Sequence, residues 1–599
     1  MTSSSISSYS ARLKRLSSGS YPIQNSDYAP HPVPAPAPAP VVVEEVAKTP
    51  IPASIRACKD ASHANQQGRT IVVCLDGTGD QFDNDNSNVV HFVSCLKKHD
   101  PNKQATYYQS GIGTYDKGGL KNGIGAAMDG AVGSGLGVHI VDAYKFLMQN
   151  YREGDRICLL GFSRGAYTVR CLAGMLHKVG LLPASNHAQV NFAYDFYKNQ
   201  TEEGWKMSAD FKKTFCTDVN VYFVGVWDCV ASVGFLPRKL PFSKSPTNSI
   251  GYFRHAMALD EHRAKFKICQ WQQQDPGNNG AQKDVPHQGI DRRTTFDDTP
   301  KAKFKRTFNC FGSGKEEKAL AQAQENAAAE KKAKNARQHS FHIHDDEDES
   351  DNQSAKTVEQ TRLETSFNAL DAKNRTNPVC KTDALEVWFM GAHADIGGGA
   401  VPNERRHMLS RIPLRWMLRQ CFECNTGILF DVAALAEQGL DIHTLYPVYQ
   451  PPTQPTAIPL NSVVERYETK TLPAIQDRSK MLPIGEEPYI APPFAPNSDH
   501  HYAHLPECTE EHFDSLEPLN DQLVQAKGWW LLELWPVKVR ILQRDGDGWV
   551  KKVRCNLGRY RAIRDREPKM HWTVQRMIEE GKYVCKGRTD NKTVWKVVA

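Results

Sequence analysis

Three residues, in the chain order serine, acid, histidine, could together carry out nucleophilic catalysis: Ser163, Asp228 and His393. Each stands just after a run of apolar residues that is typical of a buried β-strand. Side chains at the carboxyl ends of parallel strands meet at one edge of a sheet. A histidine there can remove the serine proton, while an aspartate fixes the histidine tautomer and favours the imidazolium. The order and the placement predict acyl transfer to Ser163.

Ser163 is the centre of a Gly-x-Ser-x-Gly motif, with Gly161 and Gly165 on either side. An apolar run over residues 157–160 leads into the motif, and apolar positions at helical spacing follow it to residue 178. A sharp strand-to-helix turn leaves no room for a Cβ atom at the flanking glycines and exposes the serine oxygen above the sheet. The bare motif also fits a Gly/Ser turn that feeds a helix. The flanking strand and helix favour the nucleophile.

Backbone N–H groups near this turn are candidates to bind an oxyanion. The N–H of Arg164 lies at the start of the predicted helix and would point to the position of the oxyanion. The loop at Gly77 and Thr78, which follows a β-branched strand beginning at Arg69, is the second predicted source of donors.

Other acids and bases remain alternatives in the triad. Asp395 lies in a glycine-rich loop and Asp260 lies in a predicted helix over Phe253–Phe266, so both rank below Asp228 as the acid. His255 and His571 are the rival bases.

Strands and helices alternate along the ordered chain, which predicts an α/β fold with a mostly parallel sheet and helices on both faces. The order serine, acid, histidine along the chain, with each residue at the end of a strand, predicts an α/β-hydrolase-like fold. Predicted strands also include residues 105–109, 220–227 and 384–390, and predicted helices include residues 138–147 and 414–420.

Composition divides the chain into four parts. Residues 1–67 are rich in Ser, Pro and Ala and predict a disordered arm, because they bury too little apolar surface to offset the entropy of ordering. Residues 68–590 form the predicted catalytic domain. Residues 276–374 interrupt it as a low-complexity charged insertion, and residues 425–499 are a predicted Pro-rich loop or cap region.

Charge and cysteine content restrict the classes of function. The formal net charge of +6 over 599 residues is small and predicts no nucleic-acid partner. The 15 cysteines follow no spaced framework, which predicts reduced thiols and a cytoplasmic protein. Cys421 and Cys424 are interpreted as two helix cysteines rather than zinc ligands, because no second pair lies nearby. No apolar run approaches the roughly 18 residues of a membrane span.

An aromatic stretch near the C-terminus has two interpretations. Residues 528–536 read Gly-Trp-Trp-Leu-Leu-Glu-Leu-Trp-Pro. Large aromatic side chains in an ordered segment favour a buried core, and the alternative is an interfacial membrane anchor. A peripheral membrane contact is therefore left open.

The motifs as a set resemble one family, the uncharacterised α/β-hydrolase domain family shared with the first group of type VI secretion phospholipase effectors and widespread in fungi. The segments that carry the resemblance are Leu75–Thr78, Tyr108–Thr114, Gly161–Ala166, Gly225–Gly234, His255–Arg263 and Val387–Gly399. Segments around Trp529, Arg561 and His571 are similar to the tail of fungal members.

The resemblance implies an ester hydrolase that acts on an ester or lipid substrate and needs no metal or organic cofactor. It implies Ser163 as nucleophile, Asp228 as acid and His393 as base. The alternative is a catalytically silent hydrolase-fold protein that uses its charged insertion to hold partners. Neither reading predicts an oligomeric state.

Overall fold

The structure is a computed structural model that describes residues 51–66, 68–112, 135–231, 240–243, 249–271, 359–371, 382–452, 459–485, 500–543, 546 and 548–599. All structural statements below refer to these residues. The predicted N-terminal arm up to residue 50 lies outside them, as does the charged insertion up to residue 358.

A sheet of eight strands forms the centre of the molecule, and each of its strand pairs is parallel. Its strands are β2 (Thr70–Leu75), β3 (Gln104–Gln109), β4 (Arg156–Phe162), β5 (Val221–Trp227), β6 (Ile250–Ala258), β7 (Asp383–Phe389), β11 (Lys569–His571) and β12 (Lys596–Val598). The spatial order is β12-β11-β7-β6-β5-β4-β2-β3. The predicted α/β class with a mostly parallel sheet is confirmed.

Four further strands lie outside the central sheet. β1 (Ser54–Arg56) pairs antiparallel with β8 (Leu429–Asp431). β9 (Pro536–Leu542) and β10 (Trp549–Cys555) form an antiparallel hairpin near the C-terminus.

Helices cover the sheet and join its strands. They are α1 (Asn88–Ser94), α2 (Gly135–Asn150), α3 (Ser163–Val179), α4 (Val190–Lys198), α5 (Glu202–Phe215), α6 (His393–Gly397), α7 (Arg411–Glu423), α8 (Val432–Glu437), α9 (Asn461–Glu468), α10 (His500–Ala503), α11 (Glu507–Asp514), α12 (Gln522–Gln525), α13 (Trp530–Glu533) and α14 (Trp572–Glu579). Short 3-10 segments lie at Ala61–Gln66, His187–Gln189, Ile442–Thr444, Ile475–Met481 and Lys527–Trp529. Within the described ranges, no helix is both long and apolar enough to span a bilayer.

Two hydrophobic cores lie on the opposite faces of the sheet. In β2 alternate side chains separate, so that Ile71 and Val73 join the core beneath α2 and α3, whereas Val72 and Cys74 join the core beneath α1 and α7. Every residue of β2 is buried. A continuous run of β-branched residues is what a strand covered on both faces requires.

The predicted arm reaches too far along the chain. Residues 51–66 belong to the folded unit: Ile51 and Ile55 are buried, and β1 pairs with a strand more than 370 residues later. Composition missed β1 because three residues carry too little periodicity to stand out beside a Pro/Ala-rich segment. The C-terminal boundary at residue 590 is likewise too early, since β12 adds a strand to the central sheet.

The end of the charged insertion is also corrected. Residues 359–371 are helical, and Phe367 packs against Trp205 and Phe242 with ring-centroid distances of 5.3 and 5.9 Å. Glu364 accepts a hydrogen bond from the backbone N of Phe242 at 2.9 Å. This part of the predicted insertion is therefore packed structure.

Two further sequence interpretations need correction: one predicted helix, and the loop alternative for the Pro-rich region, whose cap alternative stays a prediction. The predicted helix over residues 253–266 is instead β6 and the turn that follows it, because pairing with β5 and β7 on both sides outweighs the helix-favouring residues. The described part of the predicted Pro-rich region, residues 425–452 and 459–485, contains β8, α8 and α9.

The aromatic stretch at residues 528–536 is not core. Trp530, Leu531, Leu534 and Trp535 are all exposed, at 44, 70, 60 and 57% of their surface. The preference for a buried cluster is therefore wrong for these four residues, whereas Trp529 is half-buried and packs against Phe266.

Candidate active site

Ser163 lies at a strained strand-to-helix turn between β4 and α3. Its φ angle is 55°, a region that L-residues other than Asn and Asp rarely occupy. A Cβ atom on Gly161 would lie 2.8 Å from the backbone C of Gly165, and one on Gly165 would lie 2.3 Å from the carbonyl O of Asp76. The two glycines thus permit the tight turn, which agrees with the steric argument from the sequence.

The structure brings Ser163, His393 and Asp228 into one hydrogen-bonded line. The distance from His393 Nε2 to Ser163 Oγ is 2.8 Å, and the distance from His393 Nδ1 to Asp228 Oδ2 is 2.6 Å. Ser163 begins α3, His393 begins α6, and Asp228 directly follows β5. Ser163 is 5% exposed, His393 is 6% exposed and Asp228 is 0% exposed. This arrangement can activate a serine hydroxyl and stabilise the imidazolium that forms.

Asp228 is held by more than the histidine. Its Oδ1 accepts from the backbone N of Ala258 at 2.9 Å and from Arg561 Nη1 at 2.6 Å, and its Oδ2 also accepts from Arg561 Nη2 at 2.9 Å. Burial alone would raise the pKa of the Asp228 carboxyl, but Arg561 and the bond to His393 outweigh it and hold that pKa well below its ordinary value. The acid is therefore ionised at neutral pH.

His393 lies between two phenylalanine rings. Its ring centroid is 4.7 Å from that of Phe162 and 4.8 Å from that of Phe266. Burial lowers the pKa of His393 below its ordinary value, and the hydrogen bond to Asp228 opposes this only in part. The imidazole is therefore neutral at pH 7, the form that can accept a proton.

A second buried ion pair supports the backbone of His393. Glu261 Oε2 accepts from His393 N at 3.3 Å, and Arg263 binds the same carboxylate with Nε and Nη2 at 3.0 and 2.7 Å. Burial would raise the pKa of Glu261, but Arg263 outweighs it and lowers that pKa to about 2. The Arg263 guanidinium in turn lies 3.5 Å from the centroid of the Phe266 ring.

The predicted oxyanion donors differ in their availability. The N–H of Gly77 already donates to Asp76 Oδ1 at 2.8 Å, so this part of the prediction is not supported. The Oγ1 atom of Thr78 is buried without a hydrogen-bond partner. Arg164 occupies the first turn of α3, where backbone N–H groups have no partner within the helix.

The rival acids have structural contacts. Asp395 Oδ2 accepts from Ala392 N at 2.8 Å and from Asn520 N at 3.0 Å, and its Oδ1 accepts from Asn520 Nδ2 at 2.7 Å. Asp260 Oδ2 accepts from Gly391 N at 2.8 Å and from the Tyr583 hydroxyl at 2.9 Å. Both carboxylates brace the segment that presents His393.

The rival bases are engaged elsewhere as well. His255 Nε2 accepts from the backbone N of Cys229 at 3.1 Å, and its Nδ1 lies 2.8 Å from Glu386 Oε1. His571 Nδ1 lies 2.9 Å from Thr573 Oγ1 at the start of α14.

Arg561 and Glu261 are the residues of this site to which the sequence assigned no role. Both lie within segments noted for the family resemblance, but nothing in their local pattern indicates a partner. Arg561 donates a hydrogen bond to Asp228, which lies 333 positions earlier in the chain. The sequence carries no signal for this contact, because the burial of an arginine cannot be inferred from composition.

Within the described residues, no group of three or more His, Cys, Asp or Glu side chains is arranged to hold a metal ion. Cys421 lies in α7 and Cys424 follows it, both as buried free thiols. Burial raises the pKa of Cys424 to about 12, which disfavours a metal-binding thiolate.

Residues 69–420 match the family described as T6SS, phospholipase effector Tle1-like, catalytic domain. The chain belongs to this family. The match contains Ser163, Asp228 and His393, and it ends before Arg561.

Two proteins illustrate the similarity. Uncharacterized protein YEL023C of Saccharomyces cerevisiae is 26% identical over 595 residues, which span 90% of this chain and 82% of the yeast protein. An uncharacterized protein from Pseudomonas aeruginosa of known crystal structure is 15% identical, with a TM-score of 0.29. That likeness covers 61% of this chain and about half (47%) of the bacterial chain.

Proposed function

We propose that this protein is a serine hydrolase that cleaves carboxylic esters of lipids through an acyl-enzyme, with Ser163 as nucleophile, His393 as base and Asp228 as acid. The observation that carries the proposal is the hydrogen-bonded line from Ser163 Oγ through His393 to Asp228. The family, whose description is that of a phospholipase effector, supports a lipolytic hydrolase.

In the first half of the reaction, Ser163 Oγ attacks the ester carbonyl and its proton passes to His393 Nε2. Asp228 stabilises the resulting imidazolium at Nδ1. The negative carbonyl oxygen is bound by the N–H of Arg164 and by Thr78, whose Oγ1 has no other partner. The C–O bond of the ester then breaks, and the alcohol leaves with the proton from Nε2.

In the second half, His393 removes a proton from water, which attacks the acyl carbon. The tetrahedral intermediate collapses, Ser163 recovers the proton from Nε2, and the fatty acid is released. The neutral imidazole that both halves require is the form favoured by burial of His393.

A peripheral contact with a membrane surface fits the same function. Trp530, Leu531, Leu534 and Trp535 form an exposed apolar ridge, and the exposed cations Lys527 and Lys538 precede and follow it in the chain. The aromatic side chain of Trp529, beside the ridge, packs against Phe266, which packs against His393. Aromatic and aliphatic side chains beside cations are the composition that binds anionic lipid surfaces.

We place the protein in the cytoplasm, because the 13 described cysteines are free thiols, as expected of a reducing compartment. Microscopy of the tagged full-length chain checks this, and exclusive signal from the secretory pathway would contradict it.

Hydrolysis of a lipid-ester panel by purified full-length protein tests the proposed function. Ester-linked phospholipids and diacylglycerols should release fatty acid, ether-linked analogues should not, and Ser163→Ala should abolish release with an unchanged melting temperature. If no ester is cleaved by the folded wild-type protein, the alternative of a catalytically silent scaffold holds.

A further inference from the structure

A cavity of about 100 Å³ lies beside the Asp228–His393 pair, on the side of the C-terminal segment. This is several times the roughly 10–15 Å³ of accessible space that one water needs. Of its 17 lining residues, 8 are Arg or Lys and one, Glu261, is acidic. Arg263, Arg561 and Arg564 are buried, whereas Lys267 and Lys538 are exposed at the rim. Buried cations are normally matched by carboxylates, and the lining supplies one.

Two of the eight cations are neutralised by contacts already described. Arg263 pairs with Glu261, and Arg561 pairs with Asp228. The other six cationic lining residues are Lys267, Lys538, Arg540, Arg559, Arg564 and Arg588. Of these, Arg564 interacts with the charge of Asp565, and Lys267 donates to the carbonyl O of Lys538.

The contacts of Arg588 and Arg559 leave positive charge facing the cavity. Arg588 is held by neutral partners, since its Nε donates to the carbonyl O of Tyr560 at 2.7 Å and its Nη1 to that of Arg540 at 2.8 Å. Burial lowers the pKa of Arg588, and the neighbouring charge of Arg559 lowers it further. The Nη1 atom of Arg559 is buried without a hydrogen-bond partner. A buried charged donor in that state is costly unless a ligand satisfies it.

We propose that this cavity binds a phosphate group, either free phosphate or the phosphate of a phospholipid headgroup. Guanidinium groups bind phosphate oxygens with two parallel hydrogen bonds, and several guanidinium and ammonium groups converge here. A tetrahedral oxyanion presents oxygens in all directions and so suits donors from several walls. An acceptor with negative charge also relieves the repulsion between Arg559 and Arg588.

The cavity shares its walls with the proposed active site. Phe266 and Glu261 line it and contact His393, and Arg561 lines it and binds Asp228. A headgroup phosphate bound here would thus be separated from His393 by Phe266 and from Asp228 by Arg561. The proposal that the phosphate belongs to a phospholipid headgroup rests on the proposed function, whereas the proposal of phosphate binding does not.

Calorimetric titration of the full-length protein with inorganic phosphate, at constant ionic strength, tests the binding. We expect saturable binding that weakens at least about tenfold in Arg559→Gln, the loss typical of one charge-assisted hydrogen bond. Lys267→Gln is the second variant, because Lys267 lies on the exposed rim and its loss should not affect folding. The matched control is Arg554→Gln, an exposed arginine of β10 outside the cavity.

Two results would overturn the proposal. One is the absence of saturable phosphate binding to the wild-type protein. The other is equal weakening in the cavity variants and in Arg554→Gln, which would reflect general charge attraction alone.

The two sources of phosphate are separated by the kinetics of monomeric short-chain substrates. If the headgroup occupies the cavity, Arg559→Gln should raise KM for dihexanoylphosphatidylcholine and leave KM for dihexanoylglycerol unchanged. An equal change for both substrates, or none, assigns the cavity to free phosphate. Should no ester be cleaved at all, the proposed function fails and the titration still decides whether the cavity binds phosphate.

Discussion

Asp228 is a buried carboxylate that contacts two basic side chains, His393 and Arg561. The second contact has a consequence for catalysis. Arg561 offsets part of the negative charge that would otherwise raise the pKa of His393, so the histidine stays neutral over a wider range of pH. We therefore expect Arg561 to be a positioning residue that acts through Asp228, the proposed acid.

The first prediction concerns this role. Arg561→Gln should lower kcat/KM by about 10- to 100-fold and shift the acid limb of the pH profile to higher pH, because the pKa of His393 rises when the cation is removed. Loss of one partner from a buried ion pair also costs about 3–5 kcal/mol of stability. Arg561→Lys keeps the charge and should keep the acid limb in place. An unchanged acid limb in Arg561→Gln, with lower stability alone, would reduce Arg561 to a structural residue.

A second prediction separates the acid from its nearest rival. Asp228→Asn should reduce turnover by about 10⁴, because the amide favours the wrong histidine tautomer. Asp395→Asn should cost less activity and about 1–3 kcal/mol of stability, because an NH₂ group would face the N–H donors of Ala392 and Asn520. Kinetics and urea unfolding of both variants decide between the assignments. If Asp395→Asn has no activity and unchanged stability while Asp228→Asn stays active, Asp395 is the acid and Asp228 is not.

Among single residues, the sequence was informative for reactive side chains that directly follow a predicted strand. Ser163, Asp228 and His393 each follow an apolar run, so their positions could be inferred from pattern and order. Arg561 could not be assigned, because its role depends on a contact between distant parts of the chain. The availability of Thr78 rather than Gly77 as a donor depends on a single side-chain hydrogen bond, which no pattern encodes.

At the scale of elements, the helical residues 359–371 join the fold through one aromatic contact cluster. Phe367 is 7% exposed and packs on Trp205 and Phe242, whereas Leu370 on the same helix is 51% exposed. Phe367→Ala should therefore lower the free energy of unfolding by about 3–5 kcal/mol. Leu370→Ala should change it by no more than about 0.5 kcal/mol. Equal effects in chemical denaturation would mean that the helix does not dock.

The exposed ridge on α13 and the chain that follows it gives a prediction about membranes. Leu531→Asp should weaken binding to vesicles that contain phosphatidylserine by about tenfold, because it removes an exposed apolar side chain and adds a repelled charge. Val584→Asp is the matched control, since Val584 is 74% exposed and lies outside the ridge. Cosedimentation measures both. Equal binding of the two variants would contradict a membrane contact through this ridge.

Elements were predictable where a hydrophobic period was long. β2, β4, β5 and α7 follow from their apolar patterns. β6 was mistaken for a helix, because a strand buried between two neighbours need not alternate and its Ala, Met and His residues suit either structure. The short strand β1 and the helix at the end of the charged insertion depend on tertiary contacts that local composition does not contain.

At the scale of the whole molecule, the family segment and the C-terminal segment share one central sheet. Residues 69–420 contain the three proposed catalytic residues, but β11 and β12 extend the same sheet, and Arg561 completes the environment of Asp228. The fold class and the family could be inferred from the sequence, because many short motifs recur in order. The boundaries of the arm and of the insertion could not be inferred from the sequence. Charge and proline content do not indicate which short helices and strands pack against the fold.

The central claim is that Ser163 is an activated nucleophile, and covalent labelling of full-length protein with a fluorophosphonate measures this most directly. We predict one adduct by intact mass, mapped to Ser163, absent in Ser163→Ala and strongly slowed in His393→Ala. Undiminished labelling of Ser163→Ala, or no labelling of the folded wild-type protein, would contradict the account.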